Sequence, residues 1–357
     1  MIRPMRGKQV PGDTMESLQQ SNRGGIPSLK RRQLLQATFG LAAFAASGMA
    51  SSDSHWAPTK PLRLVVPFPP GGITDTQARK IAHKLSEQLN QAVIVENRAG
   101  ASGSIGTEYA SRLPSDGHTL ILGTQGTIFL NRIIYPEQTQ GVASLLPVHG
   151  VSLNPITLVA NPDRPYSTLA ELIEFARLNP GKVNVASPGA GTGAFLSFMQ
   201  LQSEVGIKTT PVHYKGSAAA INDLVGGVVD VMPDYMVAVD PFVREGRLRA
   251  LAVGSNQRLA IAPNVPTIKQ TGVVDDVLTP WTALFAPPGT SPAAVARLSR
   301  EVATALRDPS IQSMLVQGGS VPMQAFGTVE LANFLQKEGP IWEGVAREVG
   351  LKPAAAG

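Results

Sequence analysis

Apolar positions along this chain cluster into short runs separated by amphipathic stretches. The runs Leu62–Val66, Ala92–Glu96, Thr119–Gly123, Ile156–Ala160, Val183–Ser187, Val228–Met232, Arg249–Gly254 and Thr282–Ala286 read as strands. Several are apolar at consecutive positions, the pattern of a strand covered on both faces. Between them the period changes to that of a helix. Ala78, Ile81, Ala82, Leu85 and Leu89 make one face of a first helix, with Thr74 as its expected cap and Gln77 three residues on. Helices are also expected over 168–178, ending at Asn179-Pro180-Gly181, and over 218–225, 292–306 and 329–349. Strands alternating with helices predict an α/β fold with parallel sheets.

Two punctuated segments, Ala160-Asn161-Pro162-Asp163-Arg164-Pro165 and Ala286-Pro287-Pro288-Gly289-Thr290, are expected to carry the chain between two lobes. Residues 56–160 plus 286–357 would form the first lobe and 161–285 the second, each Rossmann-like, with hinges near Ala160–Arg164 and Ala286–Gly289. Ligands of such sheets sit at the carboxyl ends of strands, so the cleft between the lobes is the expected site.

The first 55 residues read differently. Lys30-Arg31-Arg32-Gln33-Leu34-Leu35 opens an apolar run to Ala46, followed by the small residues around Gly48-Met49-Ala50. This is the layout of a cleaved export signal. The paired arginines fit the twin-arginine route, and a general secretory signal holding two arginines is the alternative. The run is shorter than the ~20 residues of a membrane span. Seven bases and three acids lie in this segment, so most of the net +5 leaves with it. The remaining 24 bases and 23 acids give no reason to expect a nucleic-acid partner. The chain has no cysteine, which excludes disulfides, thiolate chemistry and a lipid-modified cysteine. A protein exported to the periplasm is expected.

The candidate chemistry lies in glycine turns. Pro67-Phe68-Pro69-Pro70-Gly71-Gly72-Ile73-Thr74-Asp75 joins a strand to a helix, and the N–H groups around Gly71, Gly72 and Thr74 would form an anion site. A plain βα turn is the competing reading. Ser187-Pro188-Gly189-Ala190-Gly191-Thr192-Gly193 repeats the arrangement. Gly189, Gly191 and Ala194 match a loose dinucleotide fingerprint, but no acid follows where ribose binding wants one. Gly100, Gly103 and Gly106 look like a phosphate loop without its Gly-Lys-Ser/Thr ending; a packing loop fits better. Thr124, Gln125 and Gly126 end a strand and would line the cleft. Asp234 would meet a ligand ammonium or hydroxyl, or else satisfy nearby backbone N–H groups. There is no nucleophile elbow, and the five histidines show no metal spacing, so no catalytic residue, metal or cofactor is expected.

The turn 67–75 resembles the signature of the Bug family, the substrate-binding proteins of tripartite tricarboxylate transporters. So do Val95–Gly106, Ser115–Leu120, Asn179–Lys182, Tyr214–Ser217 and Leu248–Val253, in order, over nearly the whole chain from 61 to 352. The resemblance implies a type II periplasmic binding fold, a central cleft closing on a small carboxylate, and membrane components of a transporter as partners. A monomer is expected. It also implies that the turns matching Phe68–Asp75 and Ser187–Thr192 hold the carboxylate. The implied ligands are di- and tricarboxylates, acidic amino acids and aromatic acids. Phe195 stands where family members often carry His, and implies a more apolar acid. Ser102, Ser104 and His213 also depart from the family pattern. An exported enzyme using the same cleft and a ligand sensor are the alternatives.

Overall fold

The computed structural model describes residues 56–353; the segment read as an export signal lies outside them. The elements run β1 (Leu62–Val66), α1 (Ile73–Leu89), β2 (Val93–Asn97), α2 (Ser104–Ser111), β3 (Thr119–Thr124), α3 (Asn131–Ile134), β4 (Leu146–Leu153) and β5 (Ile156–Ala160). Then come α4 (Leu169–Leu178), β6 (Asn184–Ser187), α5 (Gly193–Val205), β7 (Thr210–His213), α6 (Ser217–Val225), β8 (Val231–Tyr235), α7 (Met236–Arg244) and β9 (Arg249–Val253). The chain closes with β10 (Trp281–Ala286), α8 (Pro292–Leu306), α9 (Pro309–Gln317), β11 (Val321–Pro322) and α10 (Thr328–Glu348).

The strands form two sheets, in the orders β11-β4-β10-β3-β1-β2 and β7-β6-β8-β5-β9. The α/β expectation holds, as do the two lobes. The expectation of parallel sheets holds only in part. β1, β2 and β3 are parallel, and so are β6, β7 and β8. β10 runs antiparallel to both β3 and β4, and β5 antiparallel to both β8 and β9. The sheets also divide the chain elsewhere than at 160 and 286. β5 belongs to the second sheet and β10 to the first. The first passage between sheets is therefore Asn154-Pro155, two residues long, and the second falls between β9 and β10. The proline-rich segments 160–165 and 286–290 are ordinary strand exits within one lobe.

Alternation along β1 shows how each sheet buries both faces. Leu62, Leu64 and Val66 pack under α1, α8 and α9 with Ile81, Leu85, Leu298 and Val302. Val65 points the other way, to a cluster with Ala110, Trp342 and Val345. In the second sheet Leu158, Val185 and Val231 pack against α4 and α5, while Val159, Ala186 and Met232 face α6 and α7. One cluster crosses between lobes: Phe195 and Leu196 of α5 join Phe129, Trp281 and Trp342 of the first. Among the described residues no helix is long and apolar enough to cross a membrane.

Candidate functional site

The carboxyl ends of β1, β3, β6 and β8 converge on a cleft of about 560 Å³. Three helices begin at it. α1 starts after Gly72 and α6 after Gly216, and neither has a side-chain cap. The first-turn N–H groups of both are thus left to whatever enters the cleft. α5 starts after Thr192, whose hydroxyl accepts from the Phe195 N–H at 3.4 Å, leaving those of Gly193 and Ala194. Gly216 takes φ +111°, a backbone conformation that suits glycine. Phe68, Ile73 and Ile134 give the cleft an apolar flank. Among its lining residues none is Lys, Arg or His, so an anion held here is held by backbone N–H groups, helix dipoles and neutral donors such as Ser102, Asn131 and Ser217.

Of the residues singled out from the sequence, Phe68, Thr74, Thr124, Gln125, Gly126, Gly189, Gly191, Thr192 and Asp234 line this cleft. The others do not. Thr74 is also not the cap of α1: the helix begins one residue earlier, and Gly72 takes the capping position. Gly71 carries φ +87° and shapes the turn from behind. Asp75 is 3% exposed and fully engaged. Its Oδ2 accepts from the Gly71 N–H and from Arg79 Nε, both at 2.9 Å, and its Oδ1 from Asn97 Nδ2 at 2.9 Å. Asn97 also donates to the Phe68 carbonyl at 3.1 Å. This cluster bolts the turn to the end of β2. Ser187 is buried, and its Oγ accepts from the Gly189 N–H at 3.1 Å. Phe195 is turned into the shared core, with its ring edge-on to His213 at 5.1 Å. Asp75 and Ser187 point away from the cleft because they hold the turns that border it, and Phe195 because it fills the shared apolar core.

Several lining residues went unrecognised in the sequence. Gly216 and Ser217 supply the third helix start; their signal was a Gly-Ser pair just ahead of the apolar run at 218–225. Asn154 and Pro280 come from the passages between the sheets, and Trp281 and Thr282 from the start of β10. Asn154 and Thr282 belong to a buried chain of polar groups. Thr282 Oγ1 donates to Gln77 Oε1 at 3.0 Å, Gln77 Nε2 to Ser152 Oγ at 3.2 Å, and Ser320 Oγ to Asn154 Oδ1 at 2.8 Å. The network ties the start of α1 to the connection between lobes. A second cavity, of about 530 Å³, lies between residues 255–260 and the β4–β11 edge, and shares no lining residue with the cleft.

Burial pushes the Asp75 carboxyl up, but its bonds from Arg79, Gly71 and Asn97 together hold it below the ordinary value of 3.8. Its contribution to stability is therefore complete above that value and is lost as pH falls through the lowered one. Asp75→Asn cannot accept from all three donors. It is expected to cost about 1–3 kcal/mol at neutral pH, with the gap between variant and wild type closing in acid. Urea titrations at pH 7 and pH 2.5 check this; a gap that persists at pH 2.5 would contradict it.

The chain is similar to known proteins over most of its length. The family described as "Tripartite tricarboxylate transporter family receptor" matches residues 77–351. Protein BugT of Bordetella pertussis is 36% identical over 318 residues, spanning 88% of this chain and 95% of its own. Among solved structures, R. palustris Rpa4515 with adipate is similar at 33% identity and TM-score 0.69, covering 83% of this chain and 99% of that one. MatC from Rhodopseudomonas palustris with bound malate is similar at 32% identity and TM-score 0.65, covering 81% and 99%. The periplasmic binding protein BugD is similar at 30% identity and TM-score 0.66, covering 83% and 99%.

Proposed function

The chain belongs to the tripartite tricarboxylate transporter receptor family, and we propose that it is an exported periplasmic protein that captures a small carboxylate between its two lobes and delivers it to the membrane components of such a transporter. The observation that carries this reading is the convergence of three helix starts on one cleft with no basic side chain in its lining. The turns 68–74 and 188–193 act as the two jaws, with α6 as a third source of N–H donors. The adipate and malate held by the relatives Rpa4515 and MatC support a carboxylate as ligand.

Magnitudes say how the clamp must work. A helix start stabilises an anion by roughly 0.3–1 kcal/mol when exposed and up to ~2 when partly buried. Three together have a ceiling of about 6 kcal/mol, which corresponds to tens of micromolar at best. Tighter capture needs the lobes to close and exclude water, which strengthens every hydrogen bond to the charged group. The two-residue connection Asn154-Pro155 and the passage ending at Pro280 are the hinge positions, in place of those first expected at 160–164 and 286–289. A thermal-shift screen of mono-, di- and tricarboxylates should single out one small group of acids that raises the melting temperature. With the best acid at saturation, small-angle scattering should show compaction. No shift from any acid would overturn the reading.

A further inference from the structure

Within the cleft lining two buried side-chain atoms lack a hydrogen-bond partner, Trp281 Nε1 and Asp234 Oδ2, and of these only Asp234 can accept. Asp234 is the penultimate residue of β8 and is 1% exposed; its Oδ1 accepts from the Tyr235 N–H at 2.8 Å, while its buried Oδ2 has no partner in hydrogen-bond geometry, the nearby Ser217 hydroxyl favouring the charged carboxylate without closing such a bond. A carboxyl oxygen left without a donor in a buried site is costly, and few such atoms survive in a folded protein without a reason. Asp234 is also the only acid in the cleft lining, where Tyr235 is the other ionisable side chain and no base is present. It lies between two helix starts: Ser217 opens α6, and Tyr235 caps α7. Burial pushes its carboxyl up, against the Ser217 hydroxyl and the Tyr235 N–H, which favour the ionised form as both dipoles do.

We propose that Asp234 reads a hydrogen-bond donor on the ligand, so that the preferred acid carries a hydroxyl or ammonium group besides its carboxylate. This rests on the reading of the cleft as a carboxylate clamp and narrows its ligand class. The carboxylate goes to the N–H groups of α1 and α5, and the donor to Asp234 Oδ2. The same oxygen repels a second carboxylate placed at that end, so it both fixes the orientation and discriminates against acids with nothing to donate. A site built to pair with a polar substituent rejects the analogue that lacks it, because its own buried group is then left unpaired.

The test uses matched sets of acids: succinate, malate and aspartate; glutarate, 2-hydroxyglutarate and glutamate; benzoate with its hydroxy and amino derivatives. Calorimetric titration of the wild-type protein should show, within whichever set binds, a donor-bearing member at least about tenfold tighter than the unsubstituted acid. Asp234→Asn should weaken that member about tenfold or more and leave the unsubstituted acid bound at least as tightly as by the wild type. If the donor is an ammonium it loses more than a hydroxyl does, because the amide keeps an acceptor oxygen but no charge. Ligand-free Asp234→Asn should melt at or above the wild-type temperature, since it removes an unsatisfied carboxylate; a fall of about 5 °C or more would mark Asp234 as structural support and overturn the proposal. So would an equal loss for every member of a set, or wild-type binding of the unsubstituted acid as tight as its partners. If no acid in any set binds, the carboxylate clamp itself fails. If acids bind without preference, the clamp stands and only the role of Asp234 falls.

Discussion

Gly191→Leu is expected to abolish carboxylate capture, cutting affinity by about a hundredfold or more, while leaving the fold intact. Gly191 lines the cleft in the jaw ahead of α5. Its backbone is not in the left-handed region, and a Cβ placed there would meet only Ile134 Cδ1, at an ordinary 3.5 Å. The first carbon therefore fits, and the rest of the leucine side chain fills space that the ligand needs. A helix start offers its N–H groups only to an acceptor that can come close, so a side chain in front of Gly193 and Ala194 removes both the donors and the room for closure. Loss of two charge-assisted bonds, roughly 1.5–3 kcal/mol each, accounts for the size of the effect. Titration with the best acid of the screen, alongside the melting curve of the ligand-free variant, checks it. Affinity within tenfold of wild type would remove the 188–193 turn from the site.

Trp281→Ala is expected to damage the fold instead, by about 3–5 kcal/mol. Trp281 opens β10 and is fully buried. Its ring meets Phe129 edge-on at 5.9 Å and Phe334 at 6.2 Å, and lies tilted against Phe285 at 6.3 Å. Its backbone N–H donates to Gln125 Oε1 at 3.1 Å at the end of β3, a bond that the substitution keeps, so the loss comes from the ring. Truncation empties the middle of an aromatic cluster to which both lobes contribute, and rigid strands on either side limit collapse into the void. For a domain of this size the melting temperature should fall by roughly 10 °C. Guanidinium titration gives the free energy directly, and a loss under about 1.5 kcal/mol would show that α10 can repack.

How much of this was legible beforehand follows from where the information sits. β1, β5 and α8 coincide with their expected bounds, because each is an uninterrupted apolar or periodic run with clear ends. β4 was not recognised because Pro147, His149 and Gly150 break its apolar pattern. Pairing on both sides makes it a strand nevertheless. β7 sits at the edge of its sheet and carries Pro211, where a strand has little apolar signal to give. α7 contains Pro241, which hid it. Whether β5 and β10 join one sheet or the other is settled by partners far away in the chain, so the lobe boundaries could not be read from local punctuation. The site divides in the same way. Glycine turns after strands announce themselves, whereas which side chains of a turn face the ligand depends on what lies behind it. Asp75 and Ser187 face inward because Asn97, Arg79 and the N–H groups of their own turns claim them.

Phe195 and Leu196 belong by sequence to one lobe and by packing to the aromatic cluster of the other. Unfolding of either lobe would therefore strip buried apolar surface from the other, so the stabilities of the two sheets are coupled through α5. The helix that offers its first N–H groups to the cleft is the same one that carries this coupling.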